Sequence, residues 1–285
     1  MKSGCDGMID CKKIAQEIKE QCKEELKSLH PNLYLKIIQV EGDLASNAYT
    51  KGKIKDCEEI GLGCKHILLP NNCSVADVRD EISKGNVDNL CVGIILQLPL
   101  PQHLKQHEEH LVNCINPAKD VDGFIEESSF DPCTPAGIIH IAKEQLGSLD
   151  GKVVMVIGRG KLVGAPLVKL LNKENATIIH CNSHTDKQFI NTMGQFVDVI
   201  VTATGCINTL HEAIHSSIFL SEPVIIDAGI NKDKDGKLCG DCSKGIYQYL
   251  DTITPVPGGV GLITRAMLMK NCIEAAKRKE VYRIE

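Results

Sequence analysis

The chain has 285 residues, of which 43% are hydrophobic and 24% charged, with a formal net charge of -5. That apolar content fills one large core or two smaller ones, and two domains is the expectation at this length. An acidic balance without any Lys/Arg-rich block argues against nucleic acid as a partner. The longest apolar runs, such as Val92 to Leu96 and Val153 to Ile157, are strand-sized and far short of a membrane span. The polar start, Met1 to Asp10, lacks the apolar stretch of a secretory signal, so the expected location is the cytoplasm.

Helix and strand signals alternate along the chain, which predicts an α/β fold with parallel sheets. The spacing of Ile14, Ile18, Cys22 and Leu26 predicts a helix over 10–29, stopped by His30-Pro31. A strand is expected over 34–40, then a helix capped by Ser46 that carries Tyr49 and Lys53. A second strand follows over 66–69. Ser74 opens the next helix, with Asp77 placed for a capping box. The apolar run from Cys91 to Leu98 reads as a buried parallel strand, ended by Pro99-Leu100-Pro101. After an irregular stretch from Asn116 to Thr134, Pro135 sits in the first turn of a helix reaching about Leu146. A second α/β series then begins, with strands over 153–157, 176–180, 197–202 and 224–227. The last helix, over 263–279, is expected to fold back on the first domain. The domains so defined are 1–134 with 263–285, and a Rossmann-type doubly wound parallel sheet over 135–262.

Fourteen cysteines are scattered through the chain, and only Cys239-Gly-Asp-Cys242 makes a CxxC pair. No second pair or suitably spaced histidines follow, so no metal site is expected and the thiols read as small reduced side chains. His103, His107 and His110 have helical spacing, but their Glu-, Gln- and Lys-rich surroundings read as a solvated helix face.

The strongest local signal is Val153-Val-Met-Val-Ile157 followed directly by Gly158-Arg-Gly-Lys-Leu-Val-Gly164-Ala-Pro166. A strand, a glycine-rich turn and a helix start bring backbone N–H groups and the helix dipole to a phosphate. The alternative is an ordinary strand-to-helix turn. An NAD site places an acid at the end of the next strand to hold the ribose hydroxyls. Here that end reads His180-Cys-Asn-Ser183, and Arg159 sits in the loop, a combination suited to the ribose phosphate of NADP. The alternative is a solvated Arg159 and a Ser183 that merely caps a helix.

In the first domain, Tyr49 and Lys53 are four apart and share a helix face, a spacing equally common in surface pairs. Gln97 ends a buried strand, where α/β folds place ligands. Asp120 and Asp122 lie in an irregular segment leading toward the second domain. Each has a bland reading alone; together they are groups able to line a cleft beside a nucleotide. Tyr-x-x-x-Lys also marks short-chain dehydrogenases, but those carry the nucleotide loop before the tyrosine, and here the order is reversed.

With these residues in view, the chain resembles the bifunctional methylenetetrahydrofolate dehydrogenase/cyclohydrolase family. The matching stretches are Gly42-Asp-Leu-Ala-Ser-Asn-Ala-Tyr49-Thr-Lys-Gly-Lys53, Gln97-Leu-Pro-Leu-Pro101, Lys119-Asp-Val-Asp-Gly-Phe124, Pro132-Cys-Thr-Pro135, Gly158-Arg159 with Val163-Gly-Ala-Pro166, Asp227-Ala-Gly-Ile-Asn231 and Thr254-Pro-Val-Pro-Gly-Gly-Val-Gly261. The resemblance implies a folate substrate, NADP as cofactor and a homodimer. It implies that Tyr49 packs on the folate, Lys53 is the key group of hydrolysis, Gln97 assists it, and Asp122 binds the pterin. Leu98, Pro257, Gly258, Gly259 and Val260 complete the implied folate set. Thr134, Gly158, Arg159, Gly160, Val163, Gly164, Ser183, Thr204, Gly205 and Ile230 form the implied nucleotide set. Two departures stand out. Gly160 replaces the usual Ser, which leaves NAD open as an alternative cofactor, and Gly261-Leu262-Ile263-Thr264 replaces Gly-Pro-Met-Thr. The alternatives are a dehydrogenase without hydrolase activity and a folate- or nucleotide-binding protein that has lost catalysis.

Overall fold

The computed structural model describes residues 8–42, 44–210 and 222–284. Asp43, within the matching Gly42–Lys53 stretch, and Cys5, one of the fourteen cysteines, lie outside the described residues. The chain divides into two compact units. One comprises Gln16–Cys133 with Arg265–Glu285, the other Met1–Ala15 with Thr134–Thr264. The expected division put the whole N-terminal segment with the first of these. The structure instead places residues 8–15 in the second, where the Ile9 N–H donates to the Ile253 carbonyl at 3.0 Å.

The first unit is built on three parallel strands in the order β2-β1-β3: β1 (Tyr34–Val40), β2 (Gly63–Leu69) and β3 (Cys91–Leu96). Every residue of β1 and β3 is buried; β3 is an unbroken apolar run, and central β1 also buries Lys36, paired with Glu81 at 2.8 Å, and Gln39. Helix α1 (Cys11–Leu26) buries Ile14, Ile18 and Cys22, the stripe its four-residue spacing predicts. Helix α2 (Leu44–Ile60) begins before Ser46, so that residue lies inside the helix and is not its cap. Helix α3 (Val75–Val87) starts with the expected capping box, in which the Ser74 hydroxyl accepts from the Asp77 N–H and the Asp77 carboxylate accepts from the Ser74 N–H. Two short helices, α4 (Gln102–Lys105) and α5 (Glu108–Val112), lead into the loop that carries Asp120 and Asp122. Their core is Val78, Ile82, Ile94, Leu96, Leu104 and Leu111.

The second unit opens with α6 (Cys133–Leu146) and forms a four-stranded parallel sheet in the order β5-β4-β6-β7. Its strands are β4 (Val153–Ile157), β5 (Thr177–Cys181), β6 (Val199–Thr202) and β7 (Val224–Asp227). Helices α7 (Gly164–Lys173) and α8 (Lys187–Met193) connect them. A small antiparallel hairpin follows, β8 (Asn231–Lys232) with β9 (Leu238–Cys239), then α9 (Ile246–Tyr249). The last helix, α10, runs from Val260 to Ile284, starting three residues earlier than its apolar pattern suggests. In each sheet the chain crosses one way after the first strand and the other way after the second. Such reversals create a crevice at the carboxyl ends of the central strands.

Candidate active site

In the first unit, α2 presents Tyr49 and Lys53 one turn apart, and Gln97 directly follows β3 at the reversal between β1 and β3. The Gln97 N–H donates to the Ile38 carbonyl at 2.8 Å, fixing the residue to the end of the sheet. Its side-chain amide donates to the Leu98 carbonyl at 2.8 Å, which turns the amide oxygen toward α2. The Lys53 ammonium donates to that Gln97 Oε1 at 3.3 Å and to Asp122 Oδ2 at 3.5 Å. It also lies 5.1 Å from the centre of the Tyr49 ring. Lys53 is 4% exposed, Gln97 and Asp122 9% each, so the four groups meet in a largely desolvated pocket and not on a helix surface. Burial pushes the Tyr49 phenol well above its ordinary range, and the nearby Asp122 carboxylate adds to this, so Tyr49 stays neutral. Asp120, the other acid of the loop, turns away and accepts from the Ile125 N–H at 2.9 Å. Burial holds its carboxyl above the usual value.

An ion cluster unseen in the sequence braces α2 one turn beyond Lys53, on the same helix face. Asp56 is buried between the Arg265 Nε at 3.1 Å and the Lys19 Nζ at 3.4 Å. Burial raises its carboxyl pKa, with the Arg265 charge the largest opposing effect. No spacing rule links residues 19, 56 and 265; only the fold brings them together. Lys119 is likewise structural: it is buried and donates to the carbonyls of Gly85, Asn86 and Asp88 at 2.6, 2.7 and 2.8 Å. It thereby closes the carboxyl end of α3, whose last carbonyls otherwise lack partners.

In the second unit, the glycine turn sits at the reversal between β4 and β6. Gly158 has φ +123°, and a Cβ there would collide with the Ala203 carbonyl beyond β6. Gly164 packs against the Gly158 carbonyl just as closely. These two positions admit only glycine, and they leave the start of α7 without a side-chain cap. Arg159 and Gly160 are exposed, and a Cβ on Gly160 would meet nothing within 4 Å. Val163 is half-buried at the N-cap of α7. Uncapped N–H groups, a tight glycine cradle and an exposed arginine make a fitting place for a dinucleotide's phosphates.

Ser183 is exposed and caps no helix; Asp186 caps α8, accepting from the Gln188 and Phe189 N–H groups. His180 contacts the Gly158 carbonyl through Nε2 at 3.0 Å. Thr204 and Gly205 form the turn beyond β6, and Ile230, 71% exposed, lies beyond β7. Thr134, at the start of α6, accepts a hydrogen bond from the Thr264 hydroxyl at 3.1 Å. Pro257 is exposed, Gly258 half-buried, and Gly259 and Val260 are buried at the start of α10. The structure thus gathers Tyr49, Lys53, Gln97 and Asp122 in the first unit, with Leu98 half-buried beside Gln97. It gathers the residues after β4, β6 and β7 in the second.

His103 contacts the Cys73 carbonyl through Nε2 and lies in α4, His110 in α5, and His107 between them, so the three do not share one helix. Among the described residues no three His, Cys, Asp or Glu side chains are grouped to hold a metal ion. The described cysteines are unpaired, and nine of them are buried, Cys57, Cys91 and Cys272 completely.

A parallel sheet with a glycine turn at its reversal, joined to a unit with a buried Lys–Gln–Asp group, defines a dinucleotide-dependent α/β enzyme. The family is narrower. Residues 9–122 match the tetrahydrofolate dehydrogenase/cyclohydrolase catalytic domain, and residues 132–280 match the NAD(P)-binding domain of the same family. The chain belongs to that family. It is 38% identical to the bifunctional protein FolD of Agathobacter rectalis, over 95% of this chain and 99% of the relative. It is also 38% identical to FolD of Bacillus cereus strain B4264, over 95% and 94%. Among solved structures, bifunctional FolD of Campylobacter jejuni superposes with a TM-score of 0.84 at 33% identity, covering 94% of this chain and 98% of that one. The Trypanosoma brucei methylenetetrahydrofolate dehydrogenase-cyclohydrolase, solved with NADP and an inhibitor, gives 0.83 at 28% identity, covering 95% and 97%.

Proposed function

We infer that the chain is a bifunctional one-carbon enzyme. It oxidises methylenetetrahydrofolate to methenyltetrahydrofolate with NADP, then hydrolyses the methenyl compound to 10-formyltetrahydrofolate. The observation that carries this reading is the buried meeting of Lys53, Gln97 and Asp122 in a chain that also holds an uncapped glycine turn. Family membership over both units supports it.

NADP, when bound, supplies the hydride acceptor. Gly160, Val163 and Gly164 would hold its pyrophosphate by backbone N–H groups at a turn kept tight by Gly158, whose own N–H is donated to the Cys181 carbonyl at 3.0 Å, and Arg159 and Ser183 would face the extra ribose phosphate. Thr134, Thr204, Gly205 and Ile230 border the rest of the nucleotide. Hydride loss from the methylene carbon leaves a cation stabilised by the folate's own nitrogen lone pairs. No acid from the protein is required for it, and the chain contributes by positioning. Tyr49, Leu98 and Pro257 to Val260 hold the folate, and Asp122 hydrogen-bonds the pterin.

Hydrolysis needs more. Water adds to the cationic carbon and gives up both of its protons: one is released to solvent, and the other is carried to N5 as the bond from that carbon to N5 breaks. Lys53 is the group placed to move that proton, and Gln97 and Asp122 orient its ammonium. The protein is read as a cytoplasmic homodimer; among the described residues, no helix is long and apolar enough to cross a membrane. Adding methylenetetrahydrofolate with NADP or NAD, and following methenyl compound as it forms and decays, tests substrate, cofactor and both activities together. Formation without decay would leave only a dehydrogenase. No formation would leave a binding protein.

A further inference from the structure

The acid of the Cys239-Gly-Asp-Cys242 motif is wholly buried. Asp241 is 0% exposed and Asp227, at the end of β7, 1%. Asp241 Oδ2 accepts from the Thr204 N–H at 2.6 Å, the Thr204 hydroxyl at 2.9 Å and the Gly205 N–H at 3.2 Å. Its Oδ1 accepts from the Asn231 side-chain amide at 2.8 Å. One carboxylate therefore ties down the turn beyond β6 and the segment beyond β7 at once. Both lie at carboxyl ends of parallel strands, where an α/β sheet binds its nucleotide.

Asp227 holds this brace from below. Its Oδ1 accepts from the Asp241 N–H at 3.0 Å, the Gly229 N–H at 2.9 Å and the Thr202 hydroxyl at 3.1 Å. Its Oδ2 accepts from the Cys242 N–H at 2.8 Å and the Tyr247 hydroxyl at 2.6 Å. Burial and the adjacent carboxylate drive the Tyr247 phenol far above its ordinary range, so it remains a donor. The Thr209 hydroxyl meets that of Thr204 at 2.7 Å, and the Thr209 N–H donates to the Asp241 carbonyl at 2.8 Å. Buried carboxylates are retained only where several donors satisfy them, and each such bond is shorter and stronger than a neutral one.

We propose that Asp241 is a positioning residue for the nucleotide, fixing the Thr204–Gly205 turn and the Ile230 segment in the conformation that receives the cofactor. This rests on the functional reading above, in which those residues border NADP. The β8–β9 hairpin, which no nucleotide motif includes, is then a working part of the cofactor site. Hydrolysis by the Lys53 group uses no nucleotide, so it provides an internal control.

The test is Asp241→Asn in the full chain, with dehydrogenase and cyclohydrolase rates measured separately and NADP binding read from its protection against thermal unfolding. The amide keeps the shape but loses the charge and one acceptor, so KM for NADP rises roughly tenfold. The NADP-dependent thermal protection shrinks in parallel, and cyclohydrolase stays within about twofold of wild type. An unchanged KM for NADP overturns the proposal, as does an equal loss of both activities. If the variant does not fold, Thr209→Val keeps every carboxylate and removes the hydroxyl that contacts the Thr204 hydroxyl at 2.7 Å and donates to the Cys206 carbonyl at 2.8 Å. It then raises KM for NADP about threefold, and no rise overturns the proposal. A wild-type chain that does not reduce NADP would instead sink the functional reading itself.

Discussion

Replacing Lys53 by Met separates the two reactions. The side chain is buried, and its ammonium contacts Gln97 Oε1 at 3.3 Å and Asp122 Oδ2 at 3.5 Å. Methionine keeps the length and the apolar stem while removing the charge and three donors. Breaking a fully buried ion pair costs about 3–5 kcal/mol, but this pair is long and the Asp122 side chain remains 12% exposed, so about 1–2 kcal/mol is expected. The variant therefore folds. Loss of a positioned proton-transfer group slows hydrolysis by a factor of about 10²–10⁴. Hydride transfer uses no group on Lys53, so the oxidation rate falls less than about tenfold. With methylenetetrahydrofolate and NADP, the wild-type chain passes through a transient methenyl absorbance. Lys53→Met accumulates it in proportion to the NADPH formed. Decay of the methenyl signal at the wild-type rate would refute the assignment of Lys53.

Three further outcomes follow from the same geometry. Gly160→Ser, at a position where a Cβ meets nothing within 4 Å, adds a hydroxyl beside Arg159 and raises the ratio of kcat/KM for NADP over NAD by about threefold to tenfold; an unchanged ratio in steady-state kinetics would separate Gly160 from cofactor choice. Lys119→Met leaves the carbonyls of Gly85, Asn86 and Asp88 without their buried donor and costs about 3–5 kcal/mol in denaturant unfolding. Glu81→Gln tests acid sensitivity: hydrogen bonds from Lys36, and then Lys84, hold the Glu81 carboxyl below its ordinary value of 4.5. A depressed folded-state pKa gives stability that is complete above the unfolded value and lost as pH falls through the folded one. The variant should therefore lose less stability than wild type between about pH 5 and 3, measured by urea titration at each pH.

Much of this was legible in the sequence because it depends on local pattern. The continuous apolar runs of β3 and β4 read as buried parallel strands, and the Ser74/Asp77 box announced α3. Tyr49 and Lys53 could be placed on one helix face, but not in a pocket. That depends on Gln97 and Asp122 arriving from chain segments 44 and 69 residues beyond Lys53. Helix boundaries failed where propensity was overruled: Ser46 is a good cap residue, yet α2 begins at Leu44. Asp241 was hidden by its neighbours, since two flanking cysteines drew the motif toward metal chemistry while its partners lie ten and thirty-seven residues earlier, at Asn231 and Thr204. The placement of residues 8–15 in the second unit was equally hidden, because the Ile9 to Ile253 bond joins segments far apart in the chain.

A crystal structure with NADP and a non-hydrolysable folate analogue bound bears most directly on the account. It should place the pyrophosphate against the N–H groups at the start of α7 and the folate's one-carbon centre within reach of the Lys53 ammonium. A folate bound elsewhere, with that ammonium still enclosed by Gln97 and Asp122 and touching no ligand, would contradict it.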